Sequence, residues 1–186
     1  MSETKKDWKA EAKSWLLTVV LPVLAVLLLN LFVCRFAVVD GDSMYPTLHD
    51  RDLLLVWMLG GGQEQGDVVV INTPEDGVFR GERLVKRVVA VAGQRIRIDY
   101  SENKVYVDGT ALDEDYINFE EADPMEVCYP REEYTVPEGY VFVLGDNRNH
   151  SVDSRHPLVG PIPVEDIMGK EMIRIPFGEW FPAKSE

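Results

Sequence analysis

The sequence predicts a mainly β protein: an antiparallel coiled sheet or barrel-like domain behind one N-terminal transmembrane helix. Three observations point there. Residues 16–34, LLTVVLPVLAVLLLNLFVC, contain no charged side chain. The remainder divides into short runs rich in valine, isoleucine and leucine, separated by Gly, Pro, Asn and Asp, the pattern of strands and turns. Nowhere do strands alternate with long amphipathic helices, as a doubly wound α/β fold requires.

With its flanks, the charge-free run approaches the ~20 residues that cross a hydrocarbon core as a helix. It lacks the polar face of a helix in a soluble domain, and Trp15 stands where an interfacial aromatic belongs. It exceeds the ~7–15 apolar residues of a cleaved signal peptide. The residues that follow, Val33-Cys34-Arg35-Phe36, lack a small-x-small cleavage pattern. The expected division is a cytoplasmic tail over 1–13, a membrane anchor over 14–35 and an extracytoplasmic β domain over 36–186. Lys5, Lys6, Lys9 and Lys13 precede the anchor, whereas Arg35 and then Asp40 and Asp42 follow it. That bias places the N-terminus in the cytoplasm.

Within the β domain, strands are expected at residues 36–39, 53–57, 68–71, 84–91, 95–100, 104–107, 140–144 and 172–175, with a hairpin turn at 101–103. Segment 112–133 is acidic and irregular, a surface lobe. The chain carries 32 acidic against 19 basic residues, a net charge of −13, which argues against a nucleic-acid partner. Cys34 and Cys128 are too few for a disulfide framework and are expected to be unpaired. No Cys or His cluster has ligand spacing, so no metal and no cofactor is expected.

Three segments carry candidate chemistry. The first is Gly41-Asp42-Ser43-Met44-Tyr45-Pro46-Thr47-Leu48. A serine beside a glycine-bearing turn has the backbone room for its own amide to face an oxyanion. An isolated Gly-x-Ser is far more often an ordinary turn serine, so a base must be found. Three histidines are available, His49, His150 and His156, and a triad of Ser43, His150 and an aspartate is one arrangement. None of them sits beside an orienting acid on a strand. The other base is Lys86, in RLVKRVVAV. Leu84, Lys86, Val88 and Ala90 would share one strand face, and all but the lysine are apolar. Desolvation favours the neutral amine. Moving a lysine from ~10.4 to ~7 costs roughly 4–5 kcal/mol. The competing role for Lys86 is a buried stem with its amine snorkelling to water. Arg87, on the other face, stays protonated and cannot be the base. The third segment is the polar run GDNRNHSVDSR at 145–155, behind an apolar strand, where Asp153 and Arg155 could pair.

In this order, behind an anchor, GDSMYPTL, GDVVVI, RLVKRVVAVAG and GDNRNHSVDSRHPLVGPI resemble bacterial type I signal peptidases. The short single-anchor enzymes of Gram-positive bacteria are the most similar, and the resemblance spans nearly all of residues 38–162. It implies a serine endopeptidase with Ser43 as nucleophile, its amide in the oxyanion hole, and Lys86 as general base. Ser151 would orient the lysine, and Asp153 and Arg155 would form a structural ion pair. Shallow pockets lined by Val39, Met44, Leu48, Leu84 and Val85 would hold small residues at the first and third positions before the cut. The implied substrates are secretory preproteins, their cleavage segments adding as an extended strand between residues 36–41 and 83–85. The implied surroundings are the lipid bilayer of the cytoplasmic membrane and the secretion translocon. Two positions depart from the family: Gly41 stands where some members carry an oxyanion serine, and Gly93-Gln94 where Gly-Asp is common. Two other readings fit a tethered β domain. One is a peptidase dedicated to a single pilin or conjugation substrate. The other is an inactive binding module, which has no reason to bury a lysine.

Overall fold

A computed structural model of the chain describes residues 8–77, 79–117, 125 and 133–177. The N-terminal helix comprises α1 (Trp8–Trp15), a π turn (Leu16–Val20) and α2 (Leu21–Phe32). The π turn lies directly before Pro22, whose ring disrupts a regular helix interior but fits the first turn of α2. Lys13–Phe32, 20 residues of mean hydropathy 2.5 with none buried against the domain, is long and apolar enough to cross a membrane.

The helix stops short of the anticipated residue 35. Cys34 and Arg35 already belong to β1 (Cys34–Val38), paired with Trp57 and Val56 of β2 (Leu53–Trp57). Backbone pairing captures them, which an apolar count along the chain does not register. Cys34 is a free thiol. Cys128, and most of segment 112–133, lie outside the described residues.

The remaining strands are β3 (Val68–Asn72), β4 (Arg83–Val91), β5 (Arg95–Asp99), β6 (Lys104–Val107), β7 (Thr110–Ala111), β8 (Tyr134–Thr135), β9 (Tyr140–Leu144), β10 (Ile162–Pro163) and β11 (Ile167–Ile175). They form two antiparallel sheets, in the orders β1-β2-β11-β3-β4-β9-β10 and β7-β6-β5-β8. Three strands separate β1 from β4, yet both line one cleft, so the large sheet curls into a half-barrel. The small sheet packs Ile96, Ile98, Val105 and Val107 onto Val89, Ala90, Phe142 and Leu144 of β4 and β9. A second cluster lies beside the first turn after β1: Val39, Met44, Leu48, Leu54, Val56, Val68 and Val70.

Two strands, β4 and β11, depart from simple alternation. The register of β4 against β9 shifts between Val88 and Ala90. Val88 therefore packs with Leu84, whereas Val89 and Ala90 both enter the cluster under the small sheet. The expected single face of Leu84, Lys86, Val88 and Ala90 thus ends at Val88, because a bulge adds a residue and turns the face over. Strand β11 is longer than the expected 172–175 and lies between β2 and β3, with register shifts against each. Gly169, Lys170 and Glu171 interrupt its apolar pattern. A Cβ at Gly169 would lie 2.2 Å from the Trp57 carbonyl oxygen, so this crossing needs a glycine.

Candidate active site

The turn after β1 presents Ser43. Gly41 has φ +84°, in the left-handed region that favours glycine, and its N–H donates to Asp50 Oδ1 at 3.0 Å. Further bonds from Tyr45 N–H to the Asp42 carbonyl and from Leu48 N–H to the Met44 carbonyl wind the turn. Met44 and Leu48 are almost wholly buried in the cluster below and pin it. The Ser43 N–H donates to none of the turn's carbonyls.

Strand β4 brings Lys86 to this turn. Its Nζ lies 2.7 Å from Ser43 Oγ and donates to the Val85 carbonyl at 3.0 Å. The residue is 3% exposed. Burial pulls its amine from 10.5 down to about 8; the carboxylates of Asp153 and Asp146 oppose the fall and Arg155 assists it. Ser43 Oγ meets Lys86 and no histidine. His150 is exposed in its loop, His156 Nδ1 accepts the Leu158 N–H, and His49 Nδ1 faces Arg174 Nη2 at 2.7 Å.

The loop after β9 packs against the same turn. Asn147 donates from its backbone N–H to the Ser43 carbonyl and from Nδ2 to the Asp42 carbonyl, each at 3.1 Å. A Cβ on Gly145 would lie 2.5 Å from the Ser43 carbonyl oxygen and 2.2 Å from Ser151 Oγ. Asp153 and Arg155 form a buried, bidentate pair with both contacts at 2.8 Å, and Asp153 Oδ2 also accepts the Gly145 N–H. Burial would raise the Asp153 carboxyl, but the Arg155 guanidinium and the Gly145 N–H bring it below its usual range. Ser151 stands at the site against Gly145 and helps hold the Asp153 carboxyl low, while the Lys86 amine donates to the Val85 carbonyl.

A cleft of about 320 Å³ opens between β1 and β4 and reaches Ser43 and Lys86. Val39, Met44, Leu84 and Val85 line it. Leu48 does not; it is fully buried in the cluster with Met44, where it fixes the turn. Phe36, Ala37, Val38, Asp40 and Arg83 line it too, within the segments 36–41 and 83–85 expected to flank the substrate, and Val70 of β3 is an addition the sequence did not suggest. Only the curl of the sheet brings β1 and β4 face to face.

Comparison with known proteins gives the family. The family model described as signal peptidase, peptidase S26, matches residues 12–176. The chain belongs to this signal peptidase family. "Probable signal peptidase I-1" of Synechocystis is 35% identical over 187 residues, covering 96% of this chain and 90% of that protein. "Signal peptidase I S" of Bacillus subtilis is 32% identical over 180 residues, covering 92% and 93%. A crystal structure of an Enterococcus faecalis signal peptidase I is 28% identical, with a TM-score of 0.46 over 59% of this chain and 97% of that one. Membership in the signal peptidase family makes the chain a serine endopeptidase, and the apolar N-terminal helix fits a membrane-anchored member. Neither a peptidase dedicated to one pilin or conjugation substrate nor an inactive binding module finds support in these relatives.

Proposed function

We propose that this signal peptidase cleaves secretory preproteins with Ser43 as nucleophile and Lys86 as general base. The observation that carries the reading is the 2.7 Å approach of a buried lysine, its amine lowered to about 8, to the Ser43 hydroxyl. Neutral Lys86 takes the Ser43 proton as Oγ attacks the scissile carbonyl. The Ser43 N–H, uncommitted within its turn, donates to the oxyanion. The ammonium then returns its proton to the leaving amine, and the acyl group stays on Ser43. Lys86 next takes a proton from water as the hydroxyl adds to the ester, and Ser43 leaves with that proton.

The cleavage segment lies extended between β1 and β4, in the cleft bordered by residues 36–40 and 83–86. Val39, Met44, Leu84 and Val85 leave shallow room there, which suits small side chains. Asp153 and Arg155 hold the loop behind the dyad. The anchor Lys13–Phe32 sets the site at the membrane surface, with the residues before it in the cytoplasm and the β domain from Cys34 onward outside. The bilayer and the secretion translocon, which delivers the substrate, are its partners.

Ser43→Ala and Lys86→Ala should each lower preprotein cleavage in detergent by at least about 10³-fold, as loss of a dyad member does in serine proteases. His150→Ala should cleave at close to the wild-type rate. Substantial activity in Lys86→Ala, or a collapse in His150→Ala, would favour a histidine base instead. The wild-type rate should rise with pH to a limb near 8, the value for the Lys86 amine.

A further inference from the structure

We propose that Glu114 and Tyr116, at the start of the acidic segment 112–133, are positioning residues. They brace the loop after β9, and through it hold Ser43 and Lys86 in reactive register. This inference rests on the Ser43–Lys86 reading above.

The nucleophile turn is gripped by that loop. Asn147 binds the carbonyls of Asp42 and Ser43, Gly145 touches the Ser43 carbonyl, and Thr47 Oγ1 donates to Asp146 Oδ2 at 2.5 Å. The loop in turn depends on two arginines. Arg87, the neighbour of the general base, donates from Nε and Nη2 to the two oxygens of Asp146 at 2.9 and 2.6 Å. Arg148 donates from Nε to the Gly145 carbonyl at 3.1 Å, and its own carbonyl accepts from Arg155 Nη2.

Both arginines are closed off by the same short stretch. The Tyr116 ring lies over Arg87, 4.0 Å from Cζ to the ring centroid. Glu114 takes Arg148 with both oxygens, at 3.2 Å to Nη1 and 2.5 Å to Nη2. The side chains of Arg148 and Glu114 are 1% and 7% exposed, so this is a desolvated pair. Tyr116 Oη donates to Glu114 Oε1 at 3.3 Å and links the two braces. Burial, with Glu114 beside it, pushes the tyrosine up to about 12, so the phenol remains a neutral donor throughout the working range.

Electrostatics make the bracing measurable. The Asp146 carboxylate raises the Lys86 amine, against burial. Removing the ring wets Arg87 and loosens its hold on Asp146, which leaves that carboxylate less compensated and its pull on the amine stronger. Neutralising Glu114 leaves the Arg148 cation uncompensated near the site. The first change raises the Lys86 amine and the second lowers it, so the activity limb moves toward higher pH in the one and toward lower pH in the other. Both also loosen the turn under Ser43, which costs turnover rather than substrate binding.

The experiment compares Tyr116→Leu, Tyr116→Phe and Glu114→Gln with wild type and Lys86→Ala, as full chains in detergent on one preprotein. Thermal melts establish which variants are folded. The expected result is a fall in kcat of about tenfold to a hundredfold for Tyr116→Leu and Glu114→Gln. Their KM should be little changed, with the limb displaced to higher pH in Tyr116→Leu and to lower pH in Glu114→Gln. Tyr116→Phe, which keeps the ring over Arg87, should stay near wild type in both. Folded Leu and Gln variants with the wild-type kcat and limb would overturn the proposal, as would a loss confined to KM. Should Tyr116→Leu fail to fold, the isosteric Glu114→Gln decides by the same two readings. If Lys86→Ala retains activity, the dyad itself is wrong. If Lys86→Ala is dead while the bracing variants behave as wild type, only the bracing fails.

Discussion

At the scale of single residues, the protein keeps one amine in an unfavourable place. An unfolded lysine holds its proton up to about 10.5, whereas Lys86 in the fold releases it near 8. Between those values the unfolded chain carries more protons, so stability rises with pH across the window. Below about pH 8 the whole penalty acts, on the order of 3 kcal/mol. Lys86→Met, of similar volume and without the charge, should therefore be more stable than wild type by about 3 kcal/mol at pH 7. The difference should shrink toward zero as pH approaches 10.5. Urea unfolding at several pH values checks this, and a gap that is absent or independent of pH would contradict it. Gly145 is the steric counterpart. An added methyl would meet the Ser43 carbonyl oxygen at 2.5 Å, and that oxygen is backbone and cannot swing aside. Gly145→Ala should lower kcat by about 10²-fold, because the nucleophile turn must move by a sizeable fraction of an ångström. Unaltered turnover in a folded Gly145→Ala protein would show that the turn has slack.

At the scale of elements, β11 decides whether the half-barrel closes. It joins β2 to β3, and these in turn carry β1 and β4, the two walls of the cleft. Gly169 permits its close approach to β2, where a Cβ would lie 2.2 Å from the Trp57 carbonyl oxygen. Gly169→Val should destabilise the domain by about 1–3 kcal/mol, the usual cost of overpacking, or more if the pairing is lost. Denaturant titration measures it, and a neutral effect would mean that the β2–β11 register shifts freely. The length of this strand was not legible in the sequence. Gly169, Lys170 and Glu171 break the apolar pattern that marks a strand, and two bulges hide its alternation. Strands without such interruptions, β2, β6 and β9, match their expected limits.

At the scale of the whole molecule, the proposed function makes the apolar helix and the cleft one device. The helix Lys13–Phe32 runs, through Val33 alone, into β1, and β1 is a wall of the cleft. With the helix in the bilayer, as proposed, the site would meet membrane-bound substrate at a high effective concentration, worth about 10²–10⁴ in apparent affinity. A chain beginning at Cys34 should keep most of its kcat on a short soluble peptide. On a preprotein embedded in vesicles its kcat/KM should fall by about 10²-fold or more. Equal loss on both substrates would show that the helix supports the fold rather than the encounter.

The sequence by itself determined the kinds of parts. A charge-free run of helix-spanning length, short β-branched strands, and a serine, a lysine and a polar loop in a recognisable order are all local patterns. Only the tertiary structure decided what those parts do to one another. Ser43 and Lys86 are 43 positions apart along the chain and meet because the sheet curls. That curl buried Leu48 under the turn instead of leaving it in the cleft, and set Phe36 and Val38 opposite Leu84. It placed Glu114 and Tyr116, otherwise unremarked acidic-segment residues, over Arg148 and Arg87. The reason is physical: periodicity reports which way a side chain points from its own strand. Burial, and with it the neutral lysine, depends on which distant strand closes over it.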